Sequence, residues 1–243
     1  MPMLILALLL SAGLAHAAPP KADDFAPVFQ LAGIRLLCEQ TAPLLRRGLS
    51  GEQRAEMDKV FAADALCLDL AGRLAGTLDQ AQLEKARALL DSPLARRFSA
   101  AERAVGEQAS ALAEYRQRLS ERPPLSQRLA LVRRLDAAAH TSDLAALLRY
   151  EVGKTQALLA LRARGETLDE RALAEQTQAQ VEALRVSSAQ AVESFMLYAY
   201  RRMPSTELAE YAALYRQPEV ARLLEGSLRA LPKLFAARRG KLK

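Results

Sequence analysis

Apolar residues recur along this chain at helical spacing, and nowhere does the two-residue alternation of a strand compete. The clearest stretch follows Ser92-Pro93. Phe98, Val105, Leu112 and Leu119 recur every seven residues, and Leu94, Ala101, Gln108 and Tyr115 form a second stripe broken only at Gln108. Two such stripes make the seam of an antiparallel helical bundle. β-branched residues are few and Trp is absent, which favours helix over strand. The fold class that follows is all-α, a bundle of roughly eight to nine helices.

The punctuation fixes where those helices start and stop. Asp23 and Asp24 cap a first helix carrying Phe25, Val28, Phe29, Ala32 and Leu36, with Pro43 as its expected break. Ser50 starts a second, which carries Met57, Val60, Phe61, Leu68 and Leu74, and a third runs from about Asp79 to Leu90. Ser92 is an N-cap with Pro93 at the first helical position, and Pro123-Pro124 ends that helix. A short helix from Ser126 to about His140 follows. Ser142 caps another, which Gly165 stops, and Leu168 to Arg202 reads as one long helix. Pro204-Ser205 breaks the chain again, and the last part is a helix to Gln217 with a restart at Pro218.

The first residues read differently. Leu4 to Leu14 is apolar except for Ser11 and Gly13, and Ala15-His16-Ala17 places small residues at −3 and −1 of a signal-peptidase cut. The run is about half of what spans a bilayer. Residues 1–17 are therefore expected to be a signal peptide, without a Lys or Arg before Leu4, and no Cys follows that could carry a lipid. The expected location is the periplasm. Residues 18–228 form the all-α domain. The net charge of +6 is supplied entirely by Arg229, Lys233, Arg238, Arg239, Lys241 and Lys243, so residues 229–243 read as a basic C-terminal tail on a balanced body.

Cys38 and Cys67 are the only cysteines. In an oxidising compartment an even pair suggests one disulfide, and each lies on an apolar stripe. Around a turn at Gly48 to Gly51, however, a simple hairpin would leave them offset by about 9 Å along the helix axes, too far to bridge. Two buried thiols are the other reading, and the spacing is unlike a redox Cys-x-x-Cys.

Two segments echo each other at an offset of 125 residues. Leu83, Leu89, Pro93 and Arg97 match Leu208, Leu214, Pro218 and Arg222. In both, a short helix ends in apolar residues, two polar residues follow, and Pro opens a new helix. This suggests two similar halves, about 23–122 and 125–228. The stretch from Ser205-Thr206-Glu207-Leu208 through Tyr215-Arg216-Gln217-Pro218 to Leu223 resembles the core of domain-of-unknown-function family 2059, which are exported, mostly helical bacterial proteins. That family often has Ser before the Pro and Gly two residues after it, where this chain has Gln217 and Val220. The resemblance implies location and fold, and it carries over no site.

Chemistry is sparse. After the leader the single histidine is His140, spaced i, i+4 from Asp136 as in a surface ion pair. There is no HExxH, CxxC, calcium loop or glycine-rich phosphate loop, so no catalytic residue, metal ligand or cofactor is assigned. A late aromatic cluster, Phe195, Tyr198, Tyr211 and Tyr215, is the candidate ligand or partner groove, with core packing as the other reading. Lys233, Arg238, Arg239, Lys241 and Lys243 are candidate contacts to anionic lipid, lipopolysaccharide or an acidic partner, or belong to a frayed end. Export argues against nucleic acid. The expected function is a non-enzymatic envelope protein that binds a protein partner or assists another factor; the alternatives are a carrier of an apolar or lipid-like ligand and a hydrolase of an envelope substrate.

Overall fold

The computed structural model describes residues 19–106, 109–166 and 168–242, and among these every regular element is a helix. The leader, Gln108 and Lys243 lie outside the described residues. The all-α expectation holds, but the division into helices is finer than expected. Thirteen α-helical segments stand where eight to nine were anticipated.

The first expected helix is two, α1 (Phe25–Leu31) and α2 (Ile34–Leu45). Gly33 separates them with φ +75°, a left-handed conformation that costs other residues about 1–2 kcal/mol. Pro43, the expected break, sits inside the last turn of α2 without ending it. The second is also two, α3 (Gly51–Val60) and α4 (Ala63–Leu74). Ser50 caps α3 in a reciprocal box with Gln53. The chain then turns at Phe61, whose buried ring packs on Phe235 with centroids 5.8 Å apart.

The third helix, α5 (Gln80–Leu90), starts as read, with Asp79 accepting from the Gln82 amide at 2.8 Å. The helix after Ser92 is described in two pieces, α6 (Pro93–Gly106) and α7 (Ala109–Glu121). Its seam is graded: Phe98 and Val105 are buried, while Leu112, Tyr115 and Leu119 pack half-buried at the edge. Next come α8 (Ser126–Ala139) and α9 (Thr141–Ala163), joined at His140 with φ +53°. Ser142 does not cap α9; its amide and hydroxyl both donate to Asp136. His140 accordingly meets Asp143 at 3.1 Å, not Asp136.

The expected helix from Leu168 to Arg202 divides into α10 (Glu170–Thr177), a short 3₁₀ turn, and α11 (Val181–Ala199). The break falls at buried Thr177, whose hydroxyl donates to the Leu173 carbonyl at 2.9 Å and meets Tyr150; such back-bonding bends helices. The chain closes with α12 (Ser205–Tyr215) and α13 (Pro218–Arg239).

These helices share one continuous core. α8, α9, α11 and α12 pack pairwise along their lengths, α2 packs on α4, and α13 lies against α4, α5 and α9. The packing does not follow the expected halves. α13 belongs with the N-terminal helices, whereas α6 and α7 pack on α11 and α12. The two Pro joints nevertheless meet: Lys85 pairs with Glu219 at 2.8 Å, and Arg97 with Glu207 at 2.6 Å. α13 lies close to α4 at Gly226, where an added Cβ would sit 2.8 Å from Leu74 Cδ2.

Candidate functional site: an arginine-rimmed tyrosine cleft

The anticipated aromatic groove is split between two places. Tyr198, on the last turns of α11, faces Tyr115 on α7 with ring centroids 5.3 Å apart and planes tilted by 56°. Arg116 fastens the two helices by donating to Ser194 Oγ at 3.0 Å. The spacing of Tyr115, Arg118 and Leu119 sets them on one face of α7, Arg122 follows directly after its end, and Pro123-Pro124 then turns the chain away. Across from this face, Arg201 lays its guanidinium 3.8 Å from the centre of the Tyr198 ring. Its Nη1 also donates to the Tyr198 carbonyl at 2.7 Å.

Together Tyr115, Arg118, Leu119, Arg122, Pro124, Tyr198 and Arg201 line an open cleft of about 370 Å³. No carboxylate lines it, and among the described residues Arg118, Arg122 and Arg201 form no ion pair. Leu125 follows Pro124 and is 81% exposed. Arg128, on the first turn of α8, donates to the Tyr200 carbonyl and fixes that end of α11. The cleft is thus lined by apolar and aromatic side chains together with three cations.

Tyr198 is itself buried in the core, only 4% exposed; Tyr211 and Tyr215 lie in that core away from the cleft, as the packing alternative had it, and Phe195 is half-buried against it. Phe98 stacks on Tyr211 at 4.2 Å and leans on Tyr200 at 5.0 Å. Within this group sits Glu102. Its Oε1 accepts from the Tyr200 hydroxyl at 2.5 Å and, more distantly, from Tyr211 at 3.4 Å, and the Tyr211 and Tyr215 hydroxyls meet at 3.1 Å. Burial raises the Glu102 carboxyl above its ordinary value, although the two phenols oppose this. Burial and the nearby charge of Glu102 hold Tyr200 well above a normal phenol. Neither of the two clefts described is lined by this cluster, whose rings pack on one another. Sequence reasoning missed Glu102, yet the signal was there: it sits four residues after Phe98 and three before Val105, on the apolar stripe.

Cys38 and Cys67 do come together. Their Sγ atoms are 2.6 Å apart, as thiols, between α2 and α4. The expected offset does not arise because α4, more than α3, is the helix that packs on α2, with Arg35 opposite Asp64 and Cys38 opposite Cys67. Arg35 spans the same helices, bonding Glu39 at 2.7 Å and Asp64 at 2.5 Å. Once ionised, Cys67 is stabilised first by a hydrogen bond from Cys38 and then by the charge of Arg35, so its pKa is lowered. That same bond, with burial, raises Cys38.

The basic tail is not a tail. α13 runs through Arg239, with Leu231, Leu234 and Phe235 buried. Arg238 and Arg239 are only 5% and 2% exposed. Arg238 donates to the Val60 and Ala65 carbonyls and pairs with Asp69 at 2.6 Å. Arg239 bridges Glu151 at 2.7 Å and Glu170 at 2.6 Å, where Lys154 joins at 2.5 Å. Neither arginine can reach an anionic surface. Of the anticipated contacts, Lys233 and Lys241 are exposed.

A second open cleft, of about 550 Å³, lies at the α2–α3 turn. It is larger but has no aromatic lining, and two of its cations are already engaged: Arg46 pairs with Asp58 and Arg54 donates to the Leu49 carbonyl. No group of three His, Cys, Asp or Glu residues suited to a metal occurs among the described residues, and no described helix is long and apolar enough to cross a membrane. No protein-family description, no curated protein and no solved structure matches the chain.

Proposed function

We propose that the protein is a non-enzymatic, partner-binding protein of the cell envelope, and that the Tyr115–Tyr198 cleft is its docking site. The observation that supports this is the combination of two packed tyrosines, three arginines without an ion pair among the described residues, and an exposed leucine next to Pro124. Tyr and Arg are the residues enriched at interface centres. The carrier alternative gains no comparable support, since Tyr211 and Tyr215, which would have lined its pocket, pack on Phe98 and Glu102. A hydrolase needs converging acids, and the two clefts hold one between them, Asp58, bonded to Arg46.

Export by residues 1–17, the likeness of the Pro93 and Pro218 joints to domain-of-unknown-function family 2059, and descent of those joints from a duplication belong to the same proposal. So does a Cys38–Cys67 disulfide. Closing a loop of that length stabilises a fold by about 3–4 kcal/mol in the chain-entropy account. Protein from the envelope should begin at residue 18 and weigh two hydrogens less than its reduced form; an intact leader or two alkylatable thiols would refute these points.

Docking is tested by placing a photo-crosslinking residue at Leu125 in cells, with Leu68, exposed on α4, as the control. A discrete protein adduct is expected from position 125 and not from 68. The proposal fails if position 125 gives none, or the same products as 68.

A further inference from the structure

We infer that the occupant of the cleft is an acidic peptide segment of a protein partner, carrying an apolar side chain between carboxylates. This rests on the docking reading above and adds the chemistry of the partner. The cations come first. Arg118, Arg122 and Arg201 ring a cleft without a single acid, whereas arginines elsewhere on the surface, such as Arg96, Arg133 and Arg185, hold carboxylates within 2.8 Å. A guanidinium matches a carboxylate with two parallel hydrogen bonds. Arg201 is already immobilised by the Tyr198 ring and carbonyl, so little side-chain freedom remains to be lost when an acid binds.

The apolar part follows from the lining. Leu119 and Pro124 line the cleft with the tyrosines, and Leu125, the most exposed large hydrophobic residue among those described, directly follows Pro124. A volume of about 370 Å³ suits one or two side chains of an extended segment. Stacking of a nucleic-acid base is disfavoured, because Arg201 already covers the Tyr198 face and Tyr115 leans on the same ring. A lipid surface would call for several exposed apolar residues around the cations, and here there is one.

The experiment uses the full mature chain and fluorescence anisotropy of a labelled peptide in which two leucines stand between Asp and Glu residues. Control probes are the same peptide with Lys in place of its acids, the same with Ser in place of its leucines, phosphatidylglycerol vesicles, and a single-stranded oligonucleotide. Binding of the acidic leucine peptide is expected, weakened at least about tenfold by Arg118→Glu with Arg122→Glu and by raised salt. Both positions are exposed, so the melting temperature of the variant should match the wild type. Arg47→Glu, in the other cationic cleft, should leave binding unchanged. The inference is overturned if the Lys peptide binds equally, if the Arg118/Arg122 variant binds as wild type, or if only vesicles or oligonucleotide bind. Should the adduct at Leu125 form while the acidic peptide fails, docking stands and the acidic partner falls. Should both fail, the docking reading itself falls.

Discussion

Arg239 shows how much one side chain can hold. Its guanidinium sits between Glu151 and Glu170 at 2.7 and 2.6 Å, nearly sealed from water. Burial raises the Glu151 carboxyl despite the neighbouring arginine, while bonds from Arg239 and Lys154 outweigh burial and hold Glu170 below its ordinary value. Arg239→Ala leaves Glu151 buried beside Lys154 alone, and urea unfolding should show a loss of about 3–5 kcal/mol. Glu102 acts in the opposite sense on pH. A carboxyl whose folded pKa is raised contributes stability that is complete below the ordinary carboxylate range and is lost as pH rises through its folded value. Relative to Glu102→Gln, the wild type should therefore gain stability as the pH falls from neutral, measured as paired melting curves. If the two run parallel, Glu102 does not titrate as its burial implies. Neither residue was legible from type alone. Arginines near a chain end read as a solvated tail, and only the buried partners on α9 and α10 show otherwise.

At the scale of elements, capping chemistry was the legible part. Ser50, Asp79 and Ser92 each open a helix as their side chains predict. The breaks at Gly33, Phe61 and Thr177 were not, because each falls inside an unbroken apolar pattern, and those at Phe61 and Thr177 answer to packing on Phe235 and Tyr150. The cleft was half legible: Tyr198 was in the expected set, but Tyr115 and the three arginines are brought to it only by the packing of α7 on α11. Gly226 is another case. Ala there would gain about 1 kcal/mol of helix propensity, but its Cβ would press on Leu74, which is itself buried. Overpacking of this kind costs about 1–3 kcal/mol. Gly226→Ala should lower the melting temperature, and combining it with Leu74→Ala should cost less than the sum of the two. Additive losses would mean that α13 shifts away from α4 freely.

The whole molecule is tied together by its last helix. Removing residues 229–243 would strip away Leu231, Leu234 and Phe235 and strand Asp69, Glu151 and Glu170 without their arginines. The truncated chain should lose its cooperative thermal transition, which circular dichroism would detect; a native-like melt would show that the helix is dispensable. The contacts of Arg238 with Val60, Ala65 and Asp69 join segments 169 to 178 residues apart. Long-range closures of this kind come late in folding. In a chain made N-terminus first, the packing around Val60, Ala65 and Asp69 is therefore not complete until Arg238 is in place. The buried arginines of α13 thus act as a latch, closing helices near the start of the described chain with a segment made long after them.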